Sequence, residues 1–242
     1  MRIARLLTPD GPVTGRYEDG TVDADDGTYE VGTDGRLLVP CEPTALYCVG
    51  RNYAETLEQM AYERPDEPSF FIKPPASLLA HGQVIPYPSF TEEFTYAGEL
   101  VAVIDRRCRN LDTEDALSAV RGYTIMNDLD ALDQQNLPGR KAFDCSAPLG
   151  PWLETDLDPT AIDMHTEING ERRQEANTEQ MLFDCAEVLS FLSERFTFEP
   201  GDVVAFGSPA NPGLLEPGDE IEITYEGVGT LKNAVAQATG ST

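Results

Sequence analysis

The chain has 242 residues, 40% of them hydrophobic, which is enough for one sizeable core or for a main domain with a small appendage. Its formal net charge is -26, from 43 acidic and 17 basic residues, with Asp and Glu spread along the whole length. Such a surface repels nucleic acid and anionic membranes, and no apolar run is long enough to span a bilayer, so neither partner is expected.

Lysine occurs only as Lys73, Lys141 and Lys232. Spread acidity with few lysines resembles proteins of high-salt cytoplasm, where salt screens the self-repulsion of the compact state. That is the compartment expected here. The first residues show no basic start followed by an apolar run, so no leader is expected. The five cysteines are scattered and form no CxxC pair, which predicts reduced thiols rather than a zinc site or a redox pair.

In chain order, residues 1–43 read as a small β unit and linker. The turn signals Gly11-Pro12, Asp19-Gly20, Asp26-Gly27 and Asp34-Gly35 separate its short strands. Leu46 to Gly50 is a buried strand ending in Arg51-Asn52-Tyr53, and Ala54 to Ala61 allows one or two helical turns. Ser69 to Lys73 is a second short strand between prolines. The run Tyr96 to Asp105 is the most strand-like in the chain, with Glu99 near its head. A carboxylate on a buried apolar strand is costly unless something pairs with it.

Asp112 or Thr113 is predicted to cap a helix through Val120. Gly122 to Asp128 is the next strand, so a second strand delivers a second carboxylate, and the two invite a hard-cation site. Gln134 to Ser146 reads as a loop. Asn169-Gly170 is a hairpin turn between the strands Asp163 to Ile168 and Glu171 to Gln174. Thr178 is predicted to cap a helix whose buried face is Met181, Leu182, Cys185, Val188, Leu189 and Leu192. Pro200-Gly201-Asp202 and Pro217-Gly218-Asp219 introduce further strands, and residues 237–242 read as a frayed tail. Strands do not alternate regularly with helices, so the expected class is mixed and β-rich (α+β), not a doubly wound sheet.

The order of motifs is specific. Cys48-Val49-Gly50-Arg51-Asn52-Tyr53 is followed by Phe71-Ile72-Lys73-Pro74, Tyr96-Ala97-Gly98-Glu99-Leu100 and Asn127-Asp128. Lys141, Pro148-Leu149-Gly150-Pro151-Trp152, Asn169-Gly170-Glu171 and Gly207-Ser208-Pro209 come next. Over residues 44–236 this resembles the fumarylacetoacetate hydrolase family. The resemblance implies rolled β-sheets with few short helices around a divalent metal site, and a homodimer. It implies Mg²⁺ or Mn²⁺ acting as a Lewis acid on a small 2-oxo or β-diketo carboxylic acid. On that resemblance Glu99 and Asp128 are metal ligands, Lys141 is catalytic, and Tyr53, Gln135 and Ser208 meet substrate.

Four positions depart from the family pattern. Ala97 stands for a second metal-binding Glu, Thr56 and Gln59 for a His-Glu acid–base pair, and Leu132 for a substrate-binding Arg. Thr and Gln do not titrate near neutral pH. Asp130 and Glu93 are the nearby carboxylates able to compensate for Ala97. His81 is placed near the mouth of the pocket and His165 on a structural strand. Two readings stay open. One is a metal-dependent enzyme limited to decarboxylation or tautomerisation. The other is a degenerate homologue that binds a small acid or serves as a structural or regulatory subunit, with metal weak or absent.

Overall fold

The computed structural model describes residues 1–61, 63–210 and 212–238. Its largest element is a twelve-stranded sheet. From one edge inward, Gly27–Glu30, Thr21–Ala24, Gly11–Glu18 and Arg2–Thr8 follow one another as a meander, and Arg2–Thr8 pairs with Ala147–Glu154. The order continues through Val120–Asn127, Gly98–Ile104, Val203–Ala205 and Leu46–Gly50 to Ser69–Lys73. The N-terminal strands therefore extend the same sheet that carries the motifs of the resemblance.

A five-stranded sheet packs against it, in the order Glu171–Asn177, Asp163–Ile168, Glu220–Tyr225, Gly229–Gln237, Val84–Tyr87. The contact is close at Gly98, where a Cβ would lie 2.8 Å from Ile223 Cγ2 and Thr166 Oγ1. Any larger residue there would push the sheets apart. Gly98–Ile104 is buried at every position, as its uninterrupted apolar run requires of a central strand. The β-rich fold with few short helices expected from the sequence is the fold observed.

Asp202 sets the neighbouring strand. One of its oxygens accepts from Thr44 N, Thr44 Oγ1 and Ala45 N, and the other from Glu199 N. This ties Val203–Ala205 to the parallel strand Leu46–Gly50.

Local signals gave three helix boundaries that the structure redraws. Thr178 does not cap the long helix. Its hydroxyl donates to Pro159 O and accepts from Ile162 N, and Asn177 caps a single 3₁₀ turn, Thr178–Gln180. The helix proper is Cys185–Arg195, started by a reciprocal capping box between Asp184 and Glu187. The segment Thr113–Ala119 is 3₁₀ rather than α, with no side-chain bond from Asp112 to its first amides, and Val120 already belongs to the next strand. Within the expected loop, Leu137–Lys141 forms one short helix capped by Asn136. Five residues are too few for a periodic pattern to announce. Gln237 ends the last strand, and residues 239–242 of the expected tail lie outside the described residues.

Candidate active site

The antiparallel register of the two central strands brings the two carboxylates together. Glu99 faces Met126 and Gly98 faces Asn127, and Asp128 N donates to Ala97 O at 2.9 Å, extending the ladder by one step. Side chains alternate along a strand, so Ala97, Glu99 and Asp128 share one face. Glu99 and Asp128 are both buried, at 3% and 2% exposure. The methyl of Ala97 occupies the position opposite Asp128 on that face.

Two of the chain's three lysines converge on Asp128. Lys73 Nζ lies 2.8 Å from Oδ1 and Lys141 Nζ pairs with Oδ2. Lys73 is fully buried, and it also donates to Leu129 O, Ser146 O and Ser146 Oγ. Lys141, the last residue of the Leu137–Lys141 helix, further contacts Asp130 at 3.2 Å and sits 5.4 Å from the Phe71 ring centroid. Asp130 is in turn held by the Arg140 fork. Asp130 is thus committed to two cations and does not turn toward Ala97.

The electrostatics of the two carboxylates differ. Burial pushes Asp128 up, but the two ammonium groups outweigh it and hold the carboxyl below its ordinary range. Burial pushes Glu99 up to about 8, and the charge of Asp128 adds to it. Burial lowers Lys73, while burial on Lys141 is overcome by Asp128 and Asp130, which raise it.

Glu99 Oε2 accepts from Gly207 N at 3.1 Å. Gly207 has φ +91°, and a Cβ there would stand 3.0 Å from the Asn52 Cβ, so only glycine lets this amide approach. Ser208 follows, its hydroxyl taking a hydrogen bond from Gln174 Nε2 at 3.1 Å. Gln174 is buried and also accepts from Gly98 N, which ties the Glu99 strand to the Ser208 loop. Asn52 is spent on structure, bonding Phe183 N and O and Phe206 O. Tyr53 is buried against Tyr225, and burial drives its phenol far up, so it stays a neutral donor.

Thr56, in helix Ala54–Met60, donates to Ser208 O at 3.1 Å, and Gln59 is exposed on the same helix. Gln135 and Leu132 are exposed on the loop before Lys141. Glu93 is exposed, with its carbonyl accepting from Leu132 N. His81 is not at the mouth of this site. Its Nδ1 accepts from Lys232 N and it borders a different cavity, because the Ala80–Gln83 turn packs against the last strand. His165 lies on its strand, 3.9 Å from Glu167. Cavities of about 250 to 580 Å³ occur elsewhere in the molecule, lined by other residues than these carboxylates. Sequence reasoning passed over Lys73 and Arg140 as parts of the ion network. The scarcity of lysine was the available signal for Lys73, as it was for Lys141.

For a divalent cation this floor offers two carboxyl groups, and Lys73 and Lys141 already engage both oxygens of one of them. Glu99 is a buried carboxyl beside a second carboxylate, and its hydrogen bond is to a backbone amide. Mg²⁺ is held in many proteins by one or two carboxylates with water and substrate completing the shell. Among the described residues no three of His, Cys, Asp or Glu gather into a metal-binding group, so the protein alone offers Glu99 and Asp128.

The model of the fumarylacetoacetate (FAA) hydrolase C-terminal domain matches residues 45–236. The fold overlays on 5-carboxymethyl-2-hydroxymuconate delta-isomerase from Mycobacterium smegmatis with a TM-score of 0.90, at 34% identity, covering 98% of this chain and 100% of that one. It overlays on fumarylpyruvate hydrolase from Pseudomonas aeruginosa, solved with Mn²⁺ and pyruvate, with a TM-score of 0.77 at 30% identity, covering 92% and 98%. The oxaloacetate tautomerase YisK of Bacillus subtilis is 33% identical over 214 residues, 81% of this chain and 71% of that protein.

Proposed function

The chain belongs to the fumarylacetoacetate hydrolase family, and we propose that it decarboxylates or tautomerises a small 2-oxo or β-diketo carboxylic acid rather than hydrolysing its C–C bond. The observation that carries this reading is the convergence of Lys141 and Lys73 on Asp128 next to the buried Glu99, while Thr56 and Gln59, the acid–base positions of the resemblance, have no group to activate water. The relatives named above act as an isomerase, a tautomerase and a hydrolase, by their names.

Glu99 and Asp128 are the residues that would hold Mg²⁺ or Mn²⁺, which when bound supplies Lewis-acid polarisation of a 2-oxo acid. The remaining work falls to the chain. Lys141 is the less buried of the two lysines, its side chain 13% exposed against none for Lys73, and its ammonium is the donor for an enolate oxygen that gains charge. Asp130 and Arg140 fix its position. Lys73 keeps Asp128 ionised from below. In decarboxylation the electrons of the C–CO₂ bond pass to the carbonyl oxygen, CO₂ leaves, and the carbon later takes a proton from solvent. In tautomerisation one proton leaves oxygen and another reaches carbon. Neither step asks for an activated water, and hydrolysis does.

A second reading, a degenerate homologue that binds a small acid without turnover, is favoured by one observation. Both oxygens of Asp128 are already engaged by ammonium groups. Binding of Mn²⁺ with oxalate to the wild-type protein, followed by calorimetry in high salt, and turnover of oxaloacetate separate the readings. Mn²⁺ binding with oxaloacetate turnover supports the enzyme, and absence of both sinks it.

We take the assembly to be a homodimer in a high-salt cytoplasm. Phe90, Leu132, Leu137 and Leu214 are all exposed, at 39% or more. They lie around the ribbon formed by Phe94–Thr95 and Asp130–Ala131, an apolar patch on an otherwise acidic chain. Light scattering that returns a monomer at all salt concentrations would remove the dimer. Among the described residues no helix is long and apolar enough to cross a membrane.

A further inference from the structure

Arg36 is one of several arginines with no carboxylate within ion-pair distance among the described residues, and it is set apart by where it lies. It is exposed on the short strand Arg36–Leu37, paired with Arg2–Thr8, and makes no ion pair among the described residues. Most other arginines are matched to a carboxylate, as Arg2 is to Glu154 and Arg5 to Glu42.

Arg36 borders a cavity of about 580 Å³ between the N-terminal strands and the Ala80–Gln83 turn. Pockets of roughly 300–1,000 Å³ are the size that takes small organic ligands. Its wall includes Arg2, Tyr17, His81 and Trp152, and none of its lining residues is Asp or Glu, in a chain with 43 of them. This is a locally cationic hollow on a molecule of net charge -26.

The aromatic part of the wall is fixed in place. Trp152 stacks with Tyr17 at 4.3 Å between ring centroids, and the Arg2 guanidinium lies 4.9 Å from the Trp152 ring. Trp152 Nε1 donates to Val228 O at 2.6 Å, and a Cβ on Gly229 would stand 2.7 Å from the indole, so no side chain fits beside it. His81 Nδ1 accepts from Lys232 N, so the proton of the neutral ring is on Nε2 and the ring is a donor. Burial lowers its pKa, which keeps it a neutral donor rather than a cation. Lys232 and Glu222 act on it from the neighbouring strands. Arg2 shares Glu154 with the Met1 ammonium and lies against the Trp152 ring, whereas Arg36 has no carboxylate partner among the described residues.

We propose that this cavity is a second ligand site, for a small aromatic monocarboxylate held by the Arg36 guanidinium with its ring along the Tyr17–Trp152 wall. Guanidinium and carboxylate match as two parallel N–H···O bonds. A single charge is selected because the field of the whole protein repels a multiply charged anion more strongly. None of the residues involved belongs to the Glu99–Asp128 centre, so this site stands or falls independently of the reading given above.

The test is calorimetry on the intact protein at fixed salt, with benzoate, acetate and inorganic phosphate as probes. Benzoate is expected to bind, and more tightly than acetate or phosphate. Arg36→Ala is expected to weaken benzoate about tenfold, the loss of a charge-assisted hydrogen bond, with the unfolding midpoint unchanged because Arg36 is exposed. Arg36→Lys is expected to fall between the two. Failure of benzoate to bind the wild type overturns the proposal. So does equal binding to Arg36→Ala, or acetate or phosphate binding as tightly as benzoate.

Discussion

The floor and the wall of the candidate active site are held in different ways. On the floor, Asp128, Lys73, Lys141, Asp130 and Arg140 form one connected ion network, with the Glu99 carboxyl beside it accepting from Gly207 N. On the wall, the helix Ala54–Met60 carries Thr56, half-buried and bonded to a backbone carbonyl, and the exposed Gln59. The floor holds charge, the wall carries no proton-transfer pair at Thr56 and Gln59, and the two differ in what a substitution costs. The physical reason is that the floor ions are mutually dependent. Removing one leaves its buried partner uncompensated, whereas the wall residues sit at half-buried or exposed positions where substitution costs little.

The largest expected effect therefore lies deep in the floor. Lys73→Met leaves Asp128 short of a buried partner and is expected to cost about 3–5 kcal/mol of stability, read from urea unfolding at fixed salt. An unchanged midpoint would break the contrast between floor and wall. Next comes Lys141→Ala. If the centre turns over oxaloacetate, losing this donor should lower kcat roughly 10²–10³-fold, with a smaller stability cost than at Lys73. A full-rate variant would remove Lys141 from the chemistry.

Glu99 gives a third test through pH. In chelator its carboxyl is raised to about 8 in the folded protein, so the unfolded chain ionises first as pH rises. Its contribution favours the native state below about 4.5, is progressively lost toward pH 8, and is constant above it. Glu99→Gln is expected to flatten that part of the stability–pH curve, and Mn²⁺ is expected to reverse it in the wild type. Parallel curves for the two proteins would contradict the buried, unpaired state assigned to Glu99.

The smallest change in stability is expected on the wall. The double variant Thr56→His, Gln59→Glu changes one half-buried and one exposed side chain, for under about 1 kcal/mol. It is expected to raise hydrolysis of an acylpyruvate above the wild-type level, measured by loss of substrate absorbance. No gain would mean that more than the acid–base pair separates this centre from a hydrolase.

Much of the fold was legible along the chain. The turn dipeptides marked the N-terminal meander and the Asn169-Gly170 hairpin, whose Asn takes φ +54°. The buried run through Glu99 was recognisable as a central strand from its apolar density. The start of the Cys185–Arg195 helix was misplaced because Thr178 has the chemistry of a cap but spends its hydroxyl on Pro159 and Ile162, contacts that only exist once the loop is folded. Glu99 and Asp128 were legible as candidates because carboxylates on buried strands are costly. The role of Lys73 was not, since nothing in its Phe-Ile-Lys-Pro setting says that it reaches 55 residues along the chain to Asp128.

By itself the sequence determined the family, the β-rich class, and which residues stand at the motif positions, among them Ala97, Thr56 and Gln59. Those are statements about side-chain identity at motif positions, and no folding is needed to read them. Only the tertiary structure decided that Ala97, Glu99 and Asp128 share one face, that two of three lysines meet on one aspartate, and that His81 belongs to another cavity. These depend on strand register and on long-range packing, which bring together residues whose separation along the chain carries no information about their distance in space.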